Sequence, residues 1–494
     1  MATVLARPVL AYRGCAIDGG WVDPGRRLEV ICPSDGSLIG EIARGSEREI
    51  DLAVAAARRA FEIGPWGRMP AFERGRMLLR FAEAIRAHAE ELAGLESCDT
   101  GKPIAQGRAD IDACARYFEF YGGAADKLHG DTLPFLLGYT ALSLREPHGV
   151  TAHIIPWNYP AQIFGRSVGA ALAAGNACVV KPAEDASLSI LRLAELAFEI
   201  GLPRGALNVV PGLGEEAGAA LAAHPDIDFL SFTGSREVGT LVQAAAARNH
   251  VGCTLELGGK SPQILFADAD LDAAMPVVVR AIVQNAGQTC SAGSRLLVER
   301  PLWERVCNEL RQRFAALRVG PHDSGADVGA LINRSQFERV RGFVERAKAD
   351  GIPVIAQTPL PADLPAGGHY VAPIAFGPVP EDHELATEEV FGPVLACLPF
   401  EGEAEAVRIA NGTPYGLVAG VWTRDGSRAL RLARRIRAGQ VFINAYGAGG
   451  GIELPFGGYR HSGHGREKGF EGLLEFTRIK TVVIQHGEIG ERQP

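Results

Sequence analysis

Apolar and polar positions follow two periods along the chain, and the change from one to the other predicts its elements. From Gly149 to about Phe266, short apolar runs rich in β-branched residues alternate with alanine- and leucine-rich segments of helical spacing. Strands that alternate with helices of this length predict βαβ units around a parallel sheet. The strands are nearly apolar throughout, as expected for a sheet covered on both faces. They are Val150–Ile155, Cys178–Lys181, Leu207–Val210, Phe229–Phe232 and Gln263–Phe266.

A second alternating region begins after Ser261. Helical spacing of apolar residues predicts helices at Leu271–Asn285, Leu302–Leu317, Gln336–Ala349 and Ala404–Asn411. Short apolar runs predict strands at Arg295–Glu299, Val394–Pro399, Leu417–Trp422 and Gln440–Ile443. The pattern therefore indicates two α/β domains in series.

The N-terminal region is predicted to be mainly helical and to pack on the first of these domains. Two strand-like pieces, Leu28–Cys32 and Leu38–Ala43, precede a helix over Ser46–Phe61. Ser46 with Glu49 three residues later is typical of a capping box at a helix start.

Two further segments stand outside this alternation. Thr358–Gly368 is rich in proline and glycine and is predicted to be a surface loop. Thr477–Ile484 alternates like an exposed strand, and we expect it to pair with Tyr139–Arg145 or with another subunit.

Composition excludes several classes of protein. The 494 residues are 47% hydrophobic and 22% charged, which is typical of a globular chain of roughly two to four domains. A net charge of −8 is not that of a nucleic-acid-binding protein, and the arginines of Arg424–Arg437 are spaced as the solvated face of an amphipathic helix. No run of about 18 apolar residues predicts a membrane span, and Met1–Tyr12 has no clear cleavage pattern.

The cysteines indicate a reducing compartment and not a fold held together by disulfides. All nine are scattered, with neither the spacing of a metal site nor that of a disulfide framework. We therefore predict reduced thiols, a cytoplasmic protein and no metal.

Two strand ends are candidates for a nucleotide site. Phe229–Phe232 leads into a turn, Thr233–Gly239, that opens a helix, and a helix N-terminus offers free N–H groups to a phosphate. Lys181 and Glu184 follow another parallel strand, at the edge where open α/β sheets bind ligands. The carboxylate of Glu184 could accept both ribose hydroxyls and would repel a 2′-phosphate. A plain strand–helix turn and a solvated ion pair are the alternatives.

Three residues are candidates for covalent chemistry. Cys290 lies in a glycine-flanked polar loop, where a thiolate could attack a carbonyl carbon. Glu256 stands between two leucines, and burial would raise its pKa toward that of a general base. Asn158 follows the first strand of the alternating region, and its amide could donate to a developing oxyanion. Alternatively, Glu256 is a solvated strand-end residue and Asn158 a helix cap.

Taken together, the chain from about Trp21 to Val483 resembles the aldehyde dehydrogenase superfamily. The resemblance rests on seven segments in the family's order: PWNYP, VVKPAED, FTGSREVG, LELGGKSP, GQTCSAGSR, EEVFGPV and PFGGYRHSGHGREKG. It implies an α/β fold of two Rossmann-like parallel-sheet domains with a small β oligomerisation arm. The implied ranges are 1–124 and 147–257 for the cofactor domain, 258–455 for the catalytic domain, and 125–146 with 477–494 for the arm. A homodimer or homotetramer is implied.

The resemblance also implies a role for each matching residue. Cys290 corresponds to the nucleophile, Glu256 to the general base, Asn158 to the oxyanion-hole amide, and Glu467 to a carboxylate that in some members relays protons. The cofactor would be NAD, with NADP disfavoured by Glu184. Its implied contacts are Ile154, Ile155, Trp157, Lys181, Glu184, Gly214, Gly234, Ser235, Gly239, Leu257, Glu389 and Phe391.

The sequence contains few residues that indicate which aldehyde is the substrate. Thr289 and Ser291 flank Cys290 and are assigned to the substrate site, with Arg166 on the helix after Asn158. In succinic semialdehyde dehydrogenases an arginine at the Arg166 position binds the substrate carboxylate, but Gln284 and Gly451 replace that subfamily's other clamp residues. The alternative is an Arg166 that pairs with a neighbouring acid. Ala445–Gly451 has few bulky side chains, which predicts an open entrance for long or ring-bearing aldehydes.

Two alternatives to NAD-dependent oxidation with hydrolysis remain. A CoA-acylating aldehyde dehydrogenase would pass the thioester to CoA instead of water, although Glu256 is suited to hydrolysis. A non-catalytic structural relative would be expected to lack the nucleophile or the base, and both are present.

Overall fold

The computed structural model describes residues 14–447 and 451–487. The strands are β1 (Cys15–Ile17), β2 (Gly20–Val22), β3 (Arg27–Ile31), β4 (Leu38–Ala43), β5 (Thr132–Leu133), β6 (Tyr139–Pro147), β7 (Val150–Ile155), β8 (Ala177–Pro182), β9 (Leu207–Val209), β10 (Phe229–Thr233), β11 (Gly252–Glu256), β12 (Pro262–Leu265), β13 (Arg295–Glu299), β14 (Val354–Gln357), β15 (Ile374–Phe376), β16 (Val394–Phe400), β17 (Val418–Trp422), β18 (Gln440–Ile443), β19 (Gly463–His464) and β20 (Thr477–Gln485).

Helices alternate with these strands through most of the chain. They are α1 (Glu47–Glu62), α2 (Ala71–Ala87), α3 (Ala89–Thr100), α4 (Ile104–Ala124), α5 (Pro160–Ala174), α6 (Leu188–Glu199), α7 (Ala219–Ala223), α8 (Arg236–Arg248), α9 (Leu271–Val283), α10 (Trp303–Ala316), α11 (Arg334–Ala349), α12 (Glu384–Thr387), α13 (Gly402–Ala410), α14 (Gly426–Arg435) and α15 (Gly469–Glu475). Glu49 accepts hydrogen bonds from the main-chain N–H and the hydroxyl of Ser46, so the predicted capping box starts α1.

The first sheet has eight strands in the order β19-β11-β10-β7-β8-β9-β1-β2. Strands β11, β10, β7, β8 and β9 are parallel, and antiparallel strands close both edges. The chain runs outward from β7 through β8 to β9, then returns to place β10 on the other side of β7. This reversal opens a crevice at the carboxyl ends of β7 and β10, where doubly wound sheets bind their ligands.

The second sheet has seven strands in the order β14-β15-β16-β13-β12-β17-β18, and every pairing except β14 with β15 is parallel. A five-residue link, 257–261, joins the end of β11 to the start of β12. The carboxyl edge of the first sheet therefore faces the amino edge of the second, with the candidate chemistry between them. The predicted fold class, two parallel-sheet α/β units with a small β arm, is confirmed.

Each large sheet has its own apolar core. Helices α1 to α6 pack around the first, and the buried side chains of Ile452, Leu473 and Phe476 join it from the end of the chain. The second core is built from α9 to α14 and their strands. After it has formed the second core, the chain therefore returns to pack on the first.

The arm is a three-stranded sheet in the order β20-β6-β5. The pairing of Thr477–Ile484 with Tyr139–Arg145 is confirmed, in antiparallel register from Thr477 opposite Pro147 to Gln485 opposite Tyr139. The helix predicted to reach Asn285 ends at Val283, and that boundary was wrong. Asn285 and Ala286 adopt left-handed φ values of 48° and 52°, which an α-helix does not accept.

Several expectations concern absences or undescribed residues. Across residues 14–447 and 451–487 no helix is long and apolar enough to cross a membrane, and no group of three metal-ligand side chains comes together. The N-terminal segment Met1–Tyr12, the centre of Ala445–Gly451 and the last seven residues lie outside the described residues.

Candidate active site

Two glycines let the end of a strand in the first sheet pack closely against a loop of the second. Glu256 ends β11, and Gly258 and Gly259 follow it. A Cβ on Gly259 would lie 2.5 Å from the main-chain oxygen of Cys290, and one on Gly258 would lie 2.4 Å from Glu389 Oε2. Only glycine permits approaches this close. The two glycines therefore bring the segment after Glu256 against the loop that holds Cys290.

Cys290 lies in the wall of a cavity of about 1050 Å³, together with Asn158. Its side chain is half-buried, whereas seven of the nine cysteines, all among the described residues, are fully buried. Burial raises the pKa of the Cys290 thiol to about 12, while the charge of Arg166 acts in the opposite direction. Cys290 is thus accessible from the cavity but needs help to ionise.

Asn158 is held between β7 and α5 and is 5% exposed. Its side-chain Nδ2 donates to the main-chain oxygen of Gln288 at 3.0 Å, two residues before Cys290. Its Oδ1 is buried and has no hydrogen-bond partner within the described part of the chain. The amide therefore lies beside the cysteine loop, as an oxyanion donor must.

Glu256 is 2% exposed, and neither of its carboxylate oxygens has a hydrogen-bond partner among residues 14–447 and 451–487. Burial, followed by repulsion from Glu467, raises its pKa well above the ordinary value, although Arg166 acts in the opposite direction. An unsatisfied buried carboxylate is costly and is typically retained for chemistry. Such a group can take a proton from water.

Arg166 and Glu467 form a buried ion pair through Arg166 Nε and Glu467 Oε2. Arg166 Nη2 also donates to Thr233 Oγ1 at 3.2 Å, and its guanidinium lies 5.4 Å from the ring centroid of Phe456. Although burial opposes its charge, Glu467 raises the pKa of Arg166. The alternative in which Arg166 pairs with a neighbouring acid matches these contacts.

Thr289 and Ser291, on either side of Cys290, also line the cavity. Thr289 Oγ1 and Tyr159 Oη are 2.7 Å apart, and Gln284 Nε2 donates to the same Oη at 2.9 Å. The main-chain oxygen of Ser291 accepts from Tyr446 Oη at 2.8 Å. The wall around Cys290 is therefore polar and internally hydrogen-bonded.

The cofactor candidates come together at the crevice between β7 and β10. Sheet register places Ile154 directly between Lys181 and Phe232. Lys181 Nζ donates to Glu184 Oε2 at 2.8 Å, and the exposed Gly214 donates its N–H to Glu184 Oε1 at 3.4 Å. Although burial opposes ionisation, Lys181 lowers the pKa of Glu184, so this carboxylate is charged at neutral pH. Ile155, the last residue of β7, is buried beside them.

The turn after β10 is shaped by small residues. Ser235 caps α8, because its hydroxyl accepts from the N–H of Val238 at 3.2 Å. A Cβ on Gly234 would lie 2.5 Å from the ring of Phe232, and one on Gly239 would lie 2.5 Å from Leu257. Small residues thus shape the start of α8 beside the crevice, and the N-terminus of a helix favours an anion.

Glu389, Phe391 and Trp157 form the part of the crevice nearest Cys290. Glu389 Oε1 accepts from the N–H of Gly259 at 2.8 Å, and burial raises its pKa to about 7. Phe391 adopts a left-handed φ of 60°, and its ring meets Trp157 edge to face at 5.4 Å. Backbone strain of this kind is found where a side chain must point in one direction.

Two cations of the site were missed from the sequence. Lys468 lines the cavity, 5.0 Å from the Phe456 ring centroid, and burial lowers its pKa to about 8. Lys102 is fully buried and donates to the main-chain oxygen of Asn158 at 2.9 Å. Lys468 follows Glu467 in the segment PFGGYRHSGHGREKG, which was the available signal for it. For Lys102 the signal was the Gly-Lys-Pro turn that places it between two helices.

Comparison with known proteins agrees with this geometry. The model of the aldehyde dehydrogenase family matches residues 21–482. The mitochondrial benzaldehyde dehydrogenase of Antirrhinum majus is 40% identical over 493 residues, covering 98% of this chain and 91% of the relative. A solved structure from Burkholderia cenocepacia, provisionally assigned as an aldehyde dehydrogenase, is 64% identical with a TM-score of 0.95, covering 96% of this chain and all of that one.

A second similar structure contains a cofactor. The NAD⁺ complex of an aldehyde dehydrogenase from Bacillus cereus is 39% identical with a TM-score of 0.93, covering 96% of each chain. The family match spans far more than half of the chain, and the similarity holds over whole relatives. This chain belongs to the aldehyde dehydrogenase family and is an oxidoreductase that acts on aldehydes.

Proposed function

We propose that the protein oxidises an aldehyde to a carboxylic acid with NAD, through a thioester on Cys290. The proposal rests on one observation: three chemically suited side chains lie at the same place in the structure. Cys290 and Asn158 line one cavity, and the unsatisfied carboxylate of Glu256 lies at the adjoining strand end. A nucleophile, an oxyanion donor and a base at one carbonyl are the parts that acyl chemistry needs.

The first step is attack of the Cys290 sulfur on the aldehyde carbon. The thiolate forms a C–S bond, and the carbonyl oxygen takes the negative charge. The side-chain amide of Asn158 and the N–H of Cys290 would donate to that oxygen, and loss of one such donor typically costs on the order of 10²–10³ in rate. The cation Arg166 favours the thiolate, because its charge lowers the pKa of the thiol.

The residues at the crevice fit NAD. Glu184 with Lys181 offers a charged pair to the adenosine ribose, Gly234, Ser235 and Gly239 leave the start of α8 open to a pyrophosphate, and Glu389 faces the ribose next to the reacting ring. The remaining proposed contacts are Ile154, Ile155, Trp157, Gly214, Leu257 and Phe391. When bound, NAD would supply the acceptor for the hydrogen that leaves the substrate carbon with its electron pair, and that carbon then remains on Cys290 as a thioester. Because Glu184 repels a 2′-phosphate, we propose NAD over NADP.

The second step is hydrolysis of the thioester. Glu256 in its carboxylate form takes a proton from water, and the oxygen of that water attacks the thioester carbon. The C–S bond breaks, which returns the sulfur of Cys290 and releases the acid. Glu467, paired with Arg166 and electrostatically coupled to Glu256, would receive the proton from Glu256.

The substrate is proposed from the shape and polarity of the cavity. The cavity is large enough for a ring or a long chain, and Ala105, Ala109 and Ala113 of α4 line one side of it. Arg166 is already engaged by Glu467, which favours bulky or aromatic aldehydes over semialdehydes. The Antirrhinum majus relative is named for benzaldehyde. Thr289 and Ser291 would contact the aldehyde beside Cys290.

The proposal also covers the roles of the domains, the assembly of the protein and its location in the cell. We assign the cofactor domain to residues 1–124 and 147–257, the catalytic domain to 258–455, and the arm to 125–146 with 477–494. The arm exposes apolar side chains, Phe135, Leu136, Leu137, Ile479 and Val483, which suit a homodimer or homotetramer. None of the nine cysteines, all of which lie among the described residues, forms a disulfide, which favours the cytoplasm, although some relatives are mitochondrial.

One experiment tests the proposal. The purified protein is mixed with NAD or NADP and a panel of succinic semialdehyde, hexanal and benzaldehyde, and NADH formation and the acid product are measured. We expect NADH and acid in equal amounts without CoA. A requirement for CoA would show the acylating reaction instead, and no NADH with any aldehyde would favour a non-catalytic relative.

A further inference from the structure

Lys102 is a buried cation whose three ammonium hydrogens all have acceptors beside the proposed oxyanion site. Its Nζ donates to Asp110 Oδ2 at 2.6 Å, to the main-chain oxygen of Asn158 at 2.9 Å and to Glu96 Oε1 at 3.1 Å. An ammonium group has three N–H donors, so this set uses all of them. Lys102 therefore ties helices α3 and α4 to the turn that follows β7.

Local sequence explains how a lysine reaches this position. Gly101 ends α3 with a left-handed φ of 78°, and Pro103 precedes the first turn of α4. This short turn sends the side chain of Lys102 inward between the two helices. Although burial opposes its charge, Asp110 and Glu96 raise the pKa of Lys102, so the ammonium stays protonated.

The carbonyl oxygen of Asn158 is held from a second side by Asn285. Asn285 Nδ2 donates to that oxygen at 2.9 Å, so both of its lone pairs are occupied. Asn285 itself has a left-handed φ of 48° and lies in the turn that leads to Cys290. The main chain of Asn158 is thus clamped between the N-terminal helices and the cysteine loop.

We propose that Lys102, together with Asn285, is a positioning residue that fixes Asn158 so that its amide meets the developing oxyanion. This inference rests on the proposed function, because it requires Asn158 to be an oxyanion donor. A hydrogen bond from a charged donor is roughly twice as strong as a neutral one, so Lys102 is the stiffer side of the clamp. A shift of about 1 Å in such a donor can cost about a hundredfold in rate.

The test is a double-mutant cycle on the acylation step. The variant K102M/D110N removes one positive and one negative charge together, which keeps the buried cluster balanced. In rapid mixing with aldehyde and NAD, we expect the NADH burst to slow on the order of tenfold to a hundredfold. The KM for NAD and the decay of acid-trapped acyl-enzyme should stay near wild type, which separates positioning from general damage.

The cycle is completed with Asn158→Ala. Because Lys102 acts through the Asn158 amide, K102M/D110N should add less than about threefold to the slowing caused by Asn158→Ala. Equal slowing in both backgrounds would overturn the inference. A normal burst in Asn158→Ala alone would instead overturn the proposed role of Asn158, so the two failures are distinguishable.

Two more variants separate the effect on Asn158 from general damage to the fold. Ser189→Ala removes the hydroxyl that donates to Glu96 Oε2 at 2.7 Å without touching Asn158, so its burst should match wild type. If K102M/D110N does not fold, Asn285→Ala removes the other donor to the same oxygen and is measured in both backgrounds. A wild-type burst in Asn285→Ala would overturn the clamp.

Discussion

Arg166, in the wall of the cavity that contains Cys290, is ion-paired with the buried carboxylate of Glu467. The guanidinium is also hydrogen-bonded to Thr233 and packed over the ring of Phe456. A guanidinium recognises a carboxylate best when its N–H fork is unoccupied. The pairing with Glu467 therefore argues against a primary role for Arg166 as a substrate clamp and for a role in the electrostatics of the site.

Arg166→Met tests these two roles against each other. Removing one partner of a buried ion pair leaves Glu467 without its counter-charge, so we expect the free energy of unfolding to fall by about 3–5 kcal/mol. The values of kcat/KM for succinic semialdehyde and hexanal should fall by similar factors. A loss confined to the semialdehyde would show that Arg166 binds substrate. Arg280→Met, at another arginine of the cavity wall, is the matched control and should change both values less than about twofold.

Periodic features of the sequence predicted most of the fold. Strands such as Val150–Ile155 and Gln440–Ile443 have the predicted bounds, because each is a short run rich in β-branched or other apolar residues. The strands β1, β2, β5, β11, β14, β15 and β19 were not predicted. They have two to five residues and lie at or next to sheet edges, where the register comes from neighbouring strands instead of from their own pattern.

The candidate site was predictable only where a local motif contains the residue. Cys290, Glu256 and Asn158 each stand in a distinctive short segment, whereas Lys102 does not. Lys468 shares the segment PFGGYRHSGHGREKG with Glu467 but was not assigned a role. The contact of Arg166 with Glu467 joins residues 301 positions apart, and no period in the sequence encodes such a pair. Tertiary packing supplies that information.

Cys290→Ala should abolish NADH formation while leaving NAD affinity within about twofold of wild type. In the proposed mechanism the sulfur forms the bond to the substrate, whereas the proposed NAD contacts belong to the crevice. Turnover by stopped-flow absorbance and NAD affinity by calorimetry measure the two effects separately. A large loss of NAD affinity would argue against distinct roles. Cys253→Ala, at the other half-buried cysteine, is the control and should keep full turnover.

Alkylation of Cys290 by iodoacetamide should accelerate steeply with pH. Burial raises the thiol pKa to about 12, so well below that pH the thiolate fraction rises about tenfold per pH unit. Arg166→Met removes a charge that lowers this pKa, and the rate at a given pH should fall. Peptide mapping after timed quenching gives the rate at residue 290. A rate that is flat between pH 7 and 9 would mean that Cys290 is already ionised.

Glu256→Gln should leave a burst of NADH followed by slow turnover, since a glutamine cannot take the proton from water. The raised pKa of Glu256 also sets a direction for pH dependence. The active carboxylate forms as pH rises through that pKa, so deacylation should accelerate with pH and then level off. Glu256→Gln should lose this rise, and Glu453→Gln, at a surface carboxylate, should keep it. A variant without any burst would contradict a role confined to hydrolysis.

Glu184→Ser should shift cofactor preference toward NADP. The Glu184 carboxylate is held in its charged form by Lys181, 2.8 Å away, and repels a 2′-phosphate. Serine removes that charge and leaves Lys181 free to contact the phosphate, so the NADP-to-NAD ratio of kcat/KM should rise on the order of tenfold, which corresponds to about 1.4 kcal/mol. Glu215→Ser, at an exposed carboxylate next to Gly214, is the matched control and should leave the ratio near wild type. An unchanged ratio in Glu184→Ser would mean that cofactor choice is made by other residues of the crevice.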